Sequence, residues 1–314
     1  MPRKSRLGGG NTQRGTGNLR LSRRSLVQAV AGGIGLSMIG TVRADEYETI
    51  RLGTGEDRTI TVSDGERFEN VLIDSRAQGA RVTVVAHGTD WVIRNVGVRG
   101  RLDIGEHAAV FGVSDTGGGE SVFENVYLGD GSADGGGATS ETGVWVSPEH
   151  SGHLDFSHVN VQSFPDNGIY GSAPAGNGGG TIHIDQSYAA NNYVSGFRIG
   201  SEGSKVTNSS VYLDEEGYDG RGIWVWSPGP CEIENCQLEL NGRHFSVTAG
   251  ANGAGTNVSI ADSDYDTGYN GGIQESHGST VSMGESVGTD PEATPCNVPL
   301  SAEDAARGVR SEDC

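Results

Sequence analysis

Four tryptophans occur in 314 residues, and two of them stand two apart in DGRGIWVWSPG (219–229). In a strand, Ile223 and Val225 face one side while Trp224 and Trp226 face the other. Phrases of the same build carry Trp145 (GVWVS), Tyr170 (GIYGS) and Arg198 (GFRIGS) at the position of Trp224. Flat rings suit the apolar faces of sugars. An arginine among them can stack on a ring and pair with a carboxylate or sulfate through its planar fork.

Catalytic chemistry needs other parts. Glycoside hydrolysis requires two carboxylates about 5–5.5 Å or about 6.5–9.5 Å apart; Asp166 and Asp219, just before two of these phrases, are the candidates. A lyase needs a base and a cation to neutralise a uronate carboxylate. Arg198, Arg221 and Tyr170 fit those roles by type, with His244 as a lesser candidate, although an arginine pKa above about 12 makes a poor base. DSDYDTG (262–268) offers Asp262, Asp264 and Asp266 for calcium, but Gly268 falls one place late and Ile273 stands where a bidentate Glu belongs. His150 and His153 lack a third metal partner nearby. No other cofactor is implied.

These residues need a scaffold that repeats. One phrase recurs as WVIRNVGV (91–98), SVFENVYL (121–128), LDFSHVNV (154–161), TIHIDQSY (181–188), KVTNSSVY (205–212), CEIENCQL (231–238) and NVSIADSD (257–264). Its turn residues are Asn95, Asn125, His158, Gln186, Asn208, Asn235 and Asp262, spaced 30, 33, 28, 22, 27 and 27 apart. Asn tolerates left-handed backbone, so a column of it at sharp bends is sensible. The tryptophan phrase falls between copies, extending to HFSVT (244–248) and GIQES (272–276). Two strands per repeat imply a chain wound as a coil. Regular phrases joined by long variable loops suit an antiparallel sandwich less.

In the second phrase, Val144, Ile169, Phe197, Ile223, Phe245 and Ile273 share an apolar register and are expected inside. Trp145, Tyr170, Arg198, Trp224, Ser246 and Gln274 follow them and are expected outside. With turns about 4.8 Å apart, the first four of these span about 14 Å. Asp166 and Asp219, two turns apart, would sit near 10 Å, at the upper limit for hydrolysis. Loops at 114–120, 129–142 and 173–180 are the expected excursions.

This pattern resembles the right-handed parallel β-helix of the pectate-lyase-like family of secreted polysaccharide enzymes, over about residues 50–288. SGFRIGS (195–201) and PDNGIYGS (165–172) are similar to motifs of its polygalacturonase branch. The catalytic positions depart from them: Ser195 replaces a histidine, Asn167 an aspartate, and Arg221 precedes Gly222 where an acid belongs. The pectinase hydrolase mechanism is therefore not implied.

Residues 1–44 hold eight basic and no acidic side chains, with Arg23-Arg24 ahead of the apolar run AVAGGIGLSMIG. That order reads as a twin-arginine export signal, and the run is too short for a membrane span. The chain has 22 basic and 41 acidic residues, so 14 against 41 remain beyond it, a net charge of −27 over 45–314. Lys205 is then the only lysine. Such a surface resembles proteins of salt-loving microbes, and it disfavours nucleic acid and anionic membranes as partners. Of the four cysteines, Cys296 and Cys314 suit a staple of the tail, while Cys231 and Cys236 fall in core columns.

The expectation is thus an export signal (1–44), an all-β parallel β-helix (45–288) and a capping tail (289–314) whose short helix starts at Ser301 and shields the last turn. The outer stripe of an extracellular or surface protein would bind, or process by lyase or glycosidase chemistry, a polysaccharide. The alternative is a non-catalytic surface or adhesion scaffold whose aromatics stack on one another.

Overall fold

The computed structural model describes residues 19–20, 47–103, 105, 108–133, 141–172 and 179–312. The chain winds as a parallel β-helix, with almost every strand hydrogen-bonded to the strands one turn before and after it. One sheet stacks short strands that include Thr142–Val146, Asn167–Tyr170, Ser195–Ile199, Arg221–Val225 and Val247–Ala249. The other stacks longer strands such as Val92–Arg99, Glu120–Leu128 and His153–Gln162. Of the 1–44 segment only the backbone of Leu19–Arg20 is described, paired with Asp57–Thr61. The export-signal reading lies outside the described residues.

The bends are where the turn residues place them. Asn95, Asn125, His158, Gln186, Asn208, Asn235 and Asp262 all take left-handed backbone, with φ between 44° and 56°. Asn70, in the earlier phrase RFENVLI, joins them at φ 58°. This conformation costs most residues about 1–2 kcal/mol, and Asn and Asp bear it best. Stacking adds a carboxamide ladder: Asn95 Nδ2 donates to Asn70 Oδ1 at 2.8 Å, Asn125 Nδ2 to Asn95 Oδ1 at 2.9 Å, and Asn235 Nδ2 to Asn208 Oδ1 at 2.7 Å.

Inside the coil one column runs Ile60, Val84, Phe111, Val144, Ile169, Phe197, Ile223, Val247 and Ile273, each paired with the next. All but Ile273, in the last turn, are at most 1% exposed. The sequence reading slips once here: Val247 and Thr248, not Phe245 and Ser246, pair with Ile223 and Trp224. A two-residue shift preserves the inward–outward alternation, so pattern alone does not separate the registers.

The tail forms the expected helix, Ala302–Arg307. The Ser301 side chain accepts from Asp304 N–H at the N-cap, and Gly308 (φ 74°) closes the C-terminus. It lies along the flank of the early turns and not over the last one. Ala302, Ala305 and Ala306 bury against Leu72 and Tyr127. Arg99 pairs with Glu303, Arg310 with Glu124, and Asn125 Nδ2 donates to the Ala305 carbonyl. A Cβ on Gly97 would collide with the Ala302 backbone, so the absence of a side chain there lets the helix seat. In the final turn Met283 is 45% exposed.

Candidate functional site

The short-strand sheet positions the outer residues. Gly112, Trp145, Tyr170, Arg198, Trp224, Thr248 and Gln274 are register partners on successive turns. Because their neighbours Val144, Ile169, Phe197 and Ile223 point inward, these side chains project outward. Trp145, Tyr170, Trp224 and Trp226 are each half-buried. The Trp224 and Trp226 rings meet edge to face at 5.4 Å, and Trp224 Nε1 donates to the Gly250 carbonyl at 3.2 Å.

Arg198 is only 6% exposed, and aromatic faces enclose it. Its guanidinium carbon lies 3.8 Å from the Tyr170 ring centroid, 3.8 Å from Trp226 and 4.6 Å from Trp224. Arg221, half-buried, lies 4.2 Å from the other part of the same cluster, the Trp224 ring. Burial pulls the Arg198 pKa down to about 10 and lowers that of Arg221. Arg198 therefore still carries its charge at neutral pH. Such contacts are each worth about 0.5–2 kcal/mol, more as water is removed.

The turns also gather Tyr269 and His87, which the phrases do not reveal. His244 stacks on Tyr269 at 5.3 Å, and Phe245 meets Tyr269 edge-on at 4.9 Å. This trio adjoins Arg221, which with burial depresses the His244 pKa to about 4, leaving the ring neutral at pH 7. His87 reaches Trp145 at the other end, 6.3 Å between ring centroids. Tyr269 sits in a turn and His87 in an earlier strand without the phrase. Only the stacking of turns brings them to the belt.

The acid candidates are occupied separately. Asp166 accepts from Thr142 Oγ1 at 2.8 Å and Asn167 Nδ2 at 2.7 Å. Asp219 pairs with Arg243 at 3.2 Å. Of the calcium candidates, Asp266 takes the Gly242 and Gly268 amides, Asp264 takes Gln237 Nε2, and Asp262 is a bend residue. Among the described residues no group of three His, Cys, Asp or Glu is placed to hold a metal.

His150 is buried: its Nδ1 accepts from Asp115 N–H at 3.1 Å and its Nε2 donates to the Thr181 carbonyl at 3.0 Å. His153 meets Thr181 Oγ1. Asp115 locks the 114–120 loop by accepting from the Gly117 and Gly119 amides and from Ser121 Oγ. Of the loops expected at 129–142 and 173–180, residues 134–140 and 173–178 lie outside the described residues. Cys231 and Cys236 are free core thiols that burial pushes up to about 12. Cys296 is disulfide-bonded; Cys314 lies outside the described residues.

A polar groove of about 840 Å³ lies away from the belt, between the tail and the bends at Gln186, Asn208 and Asn235. Its carboxamides are largely bonded to one another, and no aromatic ring lines it. The belt holds the more distinctive chemistry.

No family model and no curated protein matches this chain. Among solved structures it is similar to the Streptococcus pneumoniae surface protein and adhesin PfbA. That likeness has 9% identity and a TM-score of 0.30, over 77% of this chain and 86% of that one. At that level it adds nothing to the fold described above.

Proposed function

We propose that this is an exported, surface or secreted protein that binds a polysaccharide along the belt from Trp145 to Trp224. The observation that carries the reading is the register: Trp145, Tyr170, Arg198 and Trp224 occupy successive turns of one outer face. Half-buried rings at that spacing offer a sugar chain repeated apolar platforms, held rigid by the sheet beneath. Arg23-Arg24 and the apolar run behind them supply the export route. Binding is favoured over cleavage, because the Asp166 and Asp219 carboxylates each face a different partner. No helix among the described residues is long and apolar enough to cross a membrane.

The test is a titration of the full chain, at high salt, with a panel of neutral and acidic polysaccharides, followed by tryptophan fluorescence and calorimetry. Saturable binding that Trp224→Ala weakens by about tenfold or more supports the belt. Binding untouched by Trp224→Ala and Trp145→Ala removes it.

A second reading rests on the 6% exposure of Arg198. In a purely structural scaffold its guanidinium is an internal rivet between Tyr170 and Trp226. Arg198→Met would then change stability alone, and the panel would give no binding.

A further inference from the structure

The two arginines of the belt lack the partner that their surroundings would normally supply. Of the eleven other arginines whose side chains are described, nine sit in ion pairs with carboxylates, and the remaining two, Arg51 and Arg101, are exposed to water. In a chain with 41 acidic residues that is expected. Arg198 and Arg221 form no ion pair among the described residues, and both Nε atoms are buried without a hydrogen-bond partner. Their remaining hydrogen bonds are to groups that do not neutralise the charge, the Tyr170 hydroxyl for Arg198 and the Val194 carbonyl for Arg221. The charges also repel each other. Asp166 acts on Arg198 only at longer range, its carboxylate being turned to Thr142 and Asn167.

Burying a cation without an anion is costly, and ring faces offset only part of that cost. Two such cations side by side, on the face already read as the binding face, point to a counter-ion that arrives with the ligand. We infer that Arg198 and Arg221 form an anion site, and that the glycan carried by the belt bears carboxylate or sulfate-ester groups. This rests on the glycan-binding reading. The half-buried Arg221 takes the anion directly. Arg198, closed in by Tyr170, Trp224 and Trp226, is a positioning residue: it adds its field from beneath and holds the rings apart. The site is local in sign, since the rest of the coil repels polyanions.

The experiment compares polymers that share a backbone: polygalacturonate with its methyl ester for the carboxylate, and dextran sulfate with dextran for the sulfate. Each is titrated into the full chain at one fixed, high salt concentration. The acidic member of at least one pair is expected to bind about tenfold tighter or more, the scale of one charge-assisted hydrogen bond. Which pair responds identifies the group. Arg221→Gln should erase the preference, and Arg221→Lys should restore part of it. Far-ultraviolet circular dichroism establishes that each variant is folded.

Neutral and acidic members binding equally, with Trp224→Ala abolishing both, would overturn the anion site and leave the glycan belt standing. A preference for the acidic member that survives both Arg221→Gln and Arg198→Met would place the anion contact elsewhere and also overturn it. No binding by any member would overturn both readings.

Discussion

Arg198 concentrates the physical question of this molecule: a charge 6% exposed, stacked between rings and without an ion pair among the described residues. Replacing it by Met removes the cation–π contacts and the desolvation cost together, and these oppose each other. Arg198→Met is therefore expected to stay within about 1 kcal/mol of the native stability in chemical denaturation. Trp226→Ala removes a half-buried indole and its contact with the guanidinium but readmits water to the charge, so the expected loss lies below the ~3–5 kcal/mol of a fully buried Trp→Ala.

The histidines give a second residue-scale prediction. Burial holds His87, His150, His158, His183 and His244 below their ordinary value of 6.5, His244 near 4 with added repulsion from Arg221. The unfolded chain then binds more protons than the folded one below pH 6.5, so stability should fall on acidification from there toward pH 4. His244→Gln should flatten part of that slope, as read from melting temperature against pH. A slope unchanged in the variant would count against the placement of His244. The outward column was legible through Trp224, because strict alternation marks it. Tyr269 was not, because a turn residue carries no periodicity.

At the scale of elements, the left-handed bends were readable from sequence alone, since positive φ selects Asn among side chains. Asn125 shows what each is worth: it holds φ 54° and donates to both Asn95 Oδ1 and the Ala305 carbonyl. Asn125→Ala loses both bonds and strains the backbone, for an expected cost of about 2–4 kcal/mol. Asn125→Gly keeps the backbone relaxed and should cost measurably less. Equal losses would show that strain plays no part. The place of the tail was not readable, because nothing local in Ser301–Gly308 specifies a flank far away in the chain. Gly97 is the element's one sequence trace, and only the docked helix gives it meaning. Gly97→Val should free the tail to limited proteolysis while the far-ultraviolet spectrum of the coil persists.

At the scale of the whole molecule, stacking converts sequence distance into proximity, and charge sets the conditions. A net of −27 over residues 45–314 is self-repulsive, and molar salt shortens the Debye length to about 3 Å. Melting temperature is accordingly expected to rise steeply between low and molar potassium chloride. The most direct measurement is a crystal structure of the full chain with an acidic oligosaccharide bound. Sugar rings lying across Trp145, Tyr170 and Trp224, with an acidic group at Arg221, are the predicted result. An oligosaccharide seated elsewhere with this face bare, or Tyr170 and Trp224 on opposite flanks of the coil, would contradict the account.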